Sequence, residues 1–289
     1  MLFFNTHISR TGGLTVAHLF KRNFGDQHLD LYTQEIREVL GRARVKPTIG
    51  MLTLDELDRI LDQYGNDRVR SISSHWIPIP EGLEVLKERF GRVMMITFLR
   101  NPIEVIISKF FHFRQRYLKS EILPEHMKYD YRNDLNLFLK HWEYVSQQYE
   151  VQDQCRDYTA YFFDNDRNAD TCLSRLREEF WFVGLTERFN EGLVMLKQKF
   201  QDLSISFNIC YHKKNKGPKA KKERKELVTQ KILENIRDQN IIDLQLYEDS
   251  LSIYEKNIQE YSGDIKKDLF RYQQKLFIWR LYHSIFGNL

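Results

Sequence analysis

The chain has 289 residues, 42% hydrophobic and 13% aromatic, enough apolar surface for one large domain or two small ones. Its formal net charge of +4 is mildly basic, which suits anionic ligands without choosing between a nucleotide and a polymer. Cys155, Cys172 and Cys210 stand far apart and outside any CxxC spacing, and no apolar run approaches the roughly 18 residues of a membrane span, so neither a disulfide framework, a cysteine zinc site nor a spanning helix is indicated.

Residues 2–5 form a short apolar run that predicts a strand, and past Gly12-Gly13 the residues Leu14, Val16, Ala17, Leu19 and Phe20 supply a helical apolar face. Thr53, followed by Leu54-Asp55-Glu56, predicts the N-cap of a helix running to about Tyr64. Residues 69–73 read as a strand. Residues 93–99 are a nearly continuous apolar strand, followed by Arg100-Asn101-Pro102 and a helix over 103–113. Helical periodicity returns over 134–145, 187–200 and 232–261, with another strand at 180–185. Unbroken apolar strands need cover on both faces, which predicts an α/β fold with a central parallel sheet and a helix-rich C-terminal half. One domain over 1–289 is expected, with a C-terminal helix, 264–287, docked on it. Residues 212–225 hold eight Lys or Arg in fourteen positions, and Gly217-Pro218 makes the segment a loop. Met1-Leu2-Phe3-Phe4 lacks the charged flank and apolar length of a signal peptide, so a cytoplasmic location is the expectation.

A loop that leaves a strand and opens a helix presents free backbone N–H groups and the positive end of the helix dipole. Gly12 and Gly13 let backbone approach an oxyanion, Thr11 and Thr15 add hydroxyls, and Arg10 adds a planar fork of donors. A tight turn with no ligand has the same residues, and the Walker pattern GxxxxGK[ST] is absent. The second strand-loop-helix repeats the arrangement, with Arg100 at the strand's end and Ser108 eight residues on, about two helical turns. Two such sets at the carboxyl ends of parallel strands suit a ligand with two separated phosphate groups. The plain alternatives are a helix-end salt bridge for Arg100 and an ordinary helix serine for Ser108.

Thr6–Thr15, THISRTGGLT, resembles the HIPKTGGTS segment of the carbohydrate sulfotransferases, the family containing heparan sulfate 2-O-sulfotransferase and bacterial relatives. Ile96–Arg114, ITFLRNPIEVIISKFFHFR, is similar to their TFLRDPVERxLSxYYHxR segment, and Val183–Lys197, VGLTERFNEGLVMLK, to their VGLTERFDESL segment. A weaker likeness covers residues 240–247. The resemblance implies a P-loop-like three-layer fold using 3'-phosphoadenosine 5'-phosphosulfate (PAPS) as sulfuryl donor. By position, Arg10, Thr11, Gly12, Gly13 and Thr15 would hold the 5'-phosphosulfate, Arg100 and Ser108 the 3'-phosphate, and Lys214, Lys216 or Lys219 of the basic loop would cover the nucleotide. The expected acceptor is a hydroxyl of a sugar, glycan or glycolipid, with no nucleic acid partner and no metal.

Ser73-Ser74-His75-Trp76-Ile77-Pro78 resembles the family's GHFPYG segment, which makes His75 the implied general base, a role an imidazole suits. His28, Glu38 and Glu104 are fallback bases. His7 is assigned to the loop's scaffold, and His112 and Arg114 either line the acceptor cleft or pair locally. Tyr158, Tyr161, Phe162 and Trp76 stack on sugar rings or belong to the core. Arg10 departs from the family's lysine: arginine grips two oxygens and stays charged, so charge stabilisation is kept and proton donation lost. A non-catalytic binder of nucleotide or anionic polymer built on the same fold is the alternative reading. The C-terminal helix, aromatic and basic, either docks wholly on the domain or makes a peripheral membrane contact.

Overall fold

Side chains alternate across a strand, so the first apolar run must be buried on both sides. Leu2 and Phe4 of β1 (Leu2–Thr6) pack with Leu57 and Ile60 of α2 (Leu54–Tyr64) and Leu86 of α3 (Ile79–Phe90). Phe3 packs on the opposite face with Val16 and Phe20 of α1 (Gly13–Phe24). The computed structural model describes residues 1–31, 52–74, 77, 79–118, 130–131, 133–149, 153–212, 224 and 226–286. Around β1 lie β2 (His28–Asp30), β3 (Ser71–Ser74), β4 (Val93–Leu99) and β5 (Phe180–Leu185), in the order β2-β3-β1-β4-β5, all parallel. Helices cover both faces, which makes the three-layer α/β architecture.

Thr53 caps α2 as its sequence predicts: its hydroxyl accepts from Glu56 N–H at 3.2 Å, and Glu56 accepts from Thr53 N–H at 3.0 Å. After β4 come α4 (Pro102–Leu118), α5 (Leu135–Tyr149), α6 (Ala160–Phe163) and α7 (Ala169–Glu178). After β5 come α8 (Phe189–Asp202), α9 (Gln230–Asp238), α10 (Ile241–Gln259) and α11 (Ile265–Phe286). A third apolar cluster, with Ile106, Phe110, Phe138 and Ile236, joins α4, α5 and α9. The strand β2 and the helices α3, α6 and α7 were not among the predicted elements.

The single helix expected over 232–261 is two, broken at Asn240. The Asn240 amide donates to the carbonyls of Cys155 (3.0 Å) and Ile236 (2.7 Å) and accepts from Asp157 N–H (3.0 Å). Asp157 in turn accepts from the N–H groups of Ile242 (2.9 Å) and Asp243 (3.0 Å), capping α10. Asp243, buried, accepts from Thr159 N–H (2.8 Å) and Ala160 N–H (2.7 Å) at the start of α6, and burial raises its carboxyl to about 6. The segment 240–247 is thus a polar clasp between the helix-rich half and the sheet's cover.

The C-terminal helix docks through Tyr272 and Leu276 on the cluster that holds Phe3 and Val16, with Ile265, Leu269 and Trp279 packed against it, and the Tyr272 hydroxyl donates to Ile209 O at 2.7 Å. Among the described residues no helix is long and apolar enough to cross a membrane. Asp243→Ala strips two buried amides of their acceptor, and a loss of about 2–4 kcal/mol is expected by chemical denaturation. Asp243→Asn, which keeps one acceptor oxygen, should cost less.

Candidate functional site

Because β1 and β4 are neighbours in parallel register, with Thr6 beside Thr97, the turns that follow them leave the same edge of the sheet. The first turn is built to a narrow tolerance. Ile8 drops into the core, and the buried Thr11 hydroxyl donates back to Ile8 O at 2.8 Å. Arg10 sits in the left-handed region at φ 69, a conformation that costs a non-glycine residue about 1–2 kcal/mol. Gly12, at φ 93, is the N-cap of α1 and supplies no side-chain cap. A Cβ on Gly13 would overlap the His7 ring, so only glycine lets α1 begin against that imidazole. Burial, with Arg10's charge beside it, lowers His7 to about 4, so its ring is neutral at pH 7.

The second turn reaches back to the first. Arg100 donates through Nη1 to Arg10 O at 3.2 Å, and Arg10 donates through Nε to Ser108 Oγ at 3.0 Å. The two anion-binding sets expected from sequence are in direct contact. Burial holds both guanidiniums below their ordinary range; Arg100's charge lowers Arg10 further, while Glu104 and Glu187 partly restore Arg100. Thr186, just after β5, donates its hydroxyl to Thr11 O at 2.6 Å, which ties the third family-like segment to the first loop.

Together these groups line a cavity of about 1090 Å³. Arg10, Gly12, Gly13, Thr15, Arg100 and Ser108 all border it; Thr11 does not, because its side chain is turned inward. Thr186, Phe189 and Asn190 form a further wall, and Leu269, Gln273 and Arg280 bring α11 to the rim. Arg280 donates to Tyr211 O at 3.0 Å, and the Tyr211 hydroxyl to Asn190 Oδ1 at 2.9 Å. The basic segment leaves the described chain after His212, next to Tyr211, and Arg224 near its end pairs with Glu104, which also lies 3.5 Å from Arg100.

His75, Lys214, Lys216, Lys219, Glu38 and Trp76 lie outside the described residues. Ser74, which precedes His75, ends β3 opposite Thr6, at the same edge of the sheet as the first loop. Of the fallback bases, His28 is buried in β2 against Ser71 Oγ (2.8 Å) and does not border the cavity, and Glu104 is taken up by Arg100 and Arg224. His112 borders the cavity, whereas Arg114 bonds locally to Asn133 at 3.2 Å. Tyr158 and Phe162 are core residues.

Sequence reasoning passed over Lys109. Its side chain is fully buried at the cavity, with Nζ 2.7 Å from Gln154 O, 3.3 Å from Gln154 Oε1 and over the Tyr158 ring. Burial pulls the amine down to about 7, against the opposing influence of Cys155, Asp243 and Asp153 and with a small push from Arg10. Compared with known proteins, the chain matches no family model and no curated sequence.

Two outcomes are expected. Gly13→Ala should cost about 1–3 kcal/mol by forcing α1 off the His7 ring, read by denaturation. For Lys109 the folded state binds fewer protons than the unfolded state between about 7 and the ordinary 10.5, so wild-type stability rises with pH there. Lys109→Met lacks this term, and its stability relative to wild type should fall by up to about 1.4 kcal/mol per pH unit across that window. Denaturation curves at several pH values give the slope.

Proposed function

We propose that the chain is a sulfotransferase that takes a sulfuryl group from PAPS and delivers it to a hydroxyl of a sugar, glycan or glycolipid. The observation that carries this reading is the Arg10–Ser108 bond, which joins the two anion-binding turns at one cavity. A donor with phosphate chemistry at both ends of a ribose needs two such groups side by side. The residues present fit it: α1 opens on the cavity without a side-chain cap, no carboxylate pairs with Arg10 among the described residues while Arg100 shares Glu104 with Arg224, and the volume of about 1090 Å³ suffices for a nucleotide.

On this reading Arg10, Gly12, Gly13 and Thr15 hold the 5' group, and Arg100 and Ser108 the 3'-phosphate. Thr11 contributes through the loop's shape, and Lys214, Lys216 and Lys219 remain candidates for covering the nucleotide. Once bound, the donor supplies the activated sulfuryl group. His75 takes the acceptor's proton, as the resemblance implies. Arg10 stays charged at any working pH, so it stabilises negative charge on the phosphate and donates no proton.

The second reading, a non-catalytic binder of anionic polymer through residues 212–225, draws on Arg10 standing where the family has lysine. Thermal-shift titration with adenosine 3',5'-bisphosphate separates the two. The first reading expects stabilisation of the wild type and affinity reduced roughly tenfold or more in Arg10→Ala and Arg100→Ala, the loss of about 1.4 kcal/mol or more that a charged hydrogen bond represents. No response of the wild type at moderate salt overturns it. Polymer binding that falls steeply with salt and survives both substitutions favours the second. Transfer of labelled sulfate from PAPS to a panel of glycans and glycolipids tests the reaction itself.

A further inference from the structure

The helix α11 is apolar on two opposite sides, and the domain covers only one. Tyr272 and Leu276 face inward and are buried. Phe270, Phe277, Leu281 and Ile285 recur at intervals of seven, four and four residues, the spacing of a single helical face, and are 60%, 69%, 50% and 63% exposed. Ile278, Tyr282 and Phe286 widen the stripe, each at least half exposed. This is a contiguous row of large apolar groups with no partner among the described residues, and such patches mark an interaction surface.

The charges beside the stripe indicate what covers it. Lys266, Lys267, Arg271 and Lys275, all exposed, lie in the first half of the helix. The acids near them are already used: Asp264 accepts from Lys267 N–H at the helix start, and Asp268 accepts from the Tyr261 hydroxyl and pairs with Arg271. A second α11 laid against the first in either direction brings the lysines no unpaired carboxylate from the helix, because its one acid, Asp268, is half-buried and already engaged by Arg271 and Tyr261. An anionic lipid surface meets both needs, accepting the aromatic and aliphatic groups at its acyl boundary and the ammonium groups at its phosphates.

We propose that α11 seats the protein on an anionic membrane surface, with Phe270, Phe277, Leu281 and Ile285 inserted and Lys266, Lys267, Arg271 and Lys275 at the headgroups. The inner face of the same helix reaches the cavity rim through Leu269, Gln273 and Arg280, so the site would open close to the lipid. The donor reading is not needed for this, and either can fail while the other stands.

Co-sedimentation of the full chain with vesicles of phosphatidylcholine containing one quarter phosphatidylglycerol, and with pure phosphatidylcholine vesicles, tests it. Binding is expected to the mixed vesicles, roughly tenfold or more weaker to the neutral ones, and weakened by high salt. Phe277→Asp with Ile285→Asp should abolish binding, and Lys266→Glu with Lys267→Glu should reduce it. These positions are exposed, so the thermal midpoint in solution should not move, which separates lost docking from lost folding. No binding to either vesicle, equal binding to both, or unchanged binding in the aspartate variant overturns the proposal. So does sedimentation as a dimer that the aspartate variant dissolves, when vesicles bind nothing.

Discussion

One side chain ties the first turn to a helix residue 98 positions further along the chain. Arg10 holds a left-handed backbone, donates its Nε to Ser108 and offers its carbonyl to Arg100. None of these contacts would form without the parallel register of β1 beside β4, since an antiparallel neighbour would carry the second turn to the far edge of the sheet. Backbone strain of about 1–2 kcal/mol at Arg10 persists because its neighbours over-determine it: Thr11 bonds to Ile8, Thr186 to Thr11, and Gly13 rests on His7. The loop has the form of a preset receptor, with its cost met by the core beneath it.

Among the described residues the positive charge at that loop is only partly answered. Two guanidiniums lose hydration at one cavity, and the carboxylates that serve them are shared: Glu104 answers both Arg100 and Arg224, and Glu187 accepts from the N–H of Asn101 at 3.0 Å. Lys109, buried behind them with its amine pulled down to about 7, carries only about half a positive charge at pH 7. The cavity therefore has its strongest cationic character where β1 and β4 end and a milder, hydrogen-bonding character toward Gln154 and Tyr158. An anion and a proton-bearing group would be sorted between these regions by solvation alone.

How much of this was legible depends on which residues speak locally. Unbroken apolar runs announced β1, β4 and β5, and Thr53 with Glu56 announced the start of α2. The strand β2 has three residues, His28-Leu29-Asp30, too few for any period to register, and it exists because His28 pairs with Ser71. Pro80 and Gly82 interrupt the start of α3, whose Leu83, Leu86 and Phe90 otherwise keep helical spacing, and α7 buries only Cys172 and Leu176. The break at Asn240 is invisible in periodicity because its causes, Cys155 and Asp157, come from elsewhere in the chain. At the site, Arg10, Arg100 and Ser108 were readable from strand-loop-helix order. The inward turn of Thr11 and the burial of Lys109 were not, since a hydroxyl in a loop and a lysine on a helix both read as solvent-facing until packing is known.

On the proposed function, arginine at position 10, where the resembled family has lysine, suits the same clasp. A lysine has one ammonium, and an ammonium that anchored to Ser108 would have its charge centre fixed there. The guanidinium carries five donors in a rigid plane, so Nε can bind Ser108 while the remaining N–H groups serve the cavity that Arg10 borders. Arginine here can be both a structural tie and a ligand for an oxyanion, with its donors spread over a wider plane than the single nitrogen of a lysine. On the proposed function, the tie to Ser108 holds this positive charge in place, and rigid placement of positive charge stabilises a leaving phosphate without reorganisation.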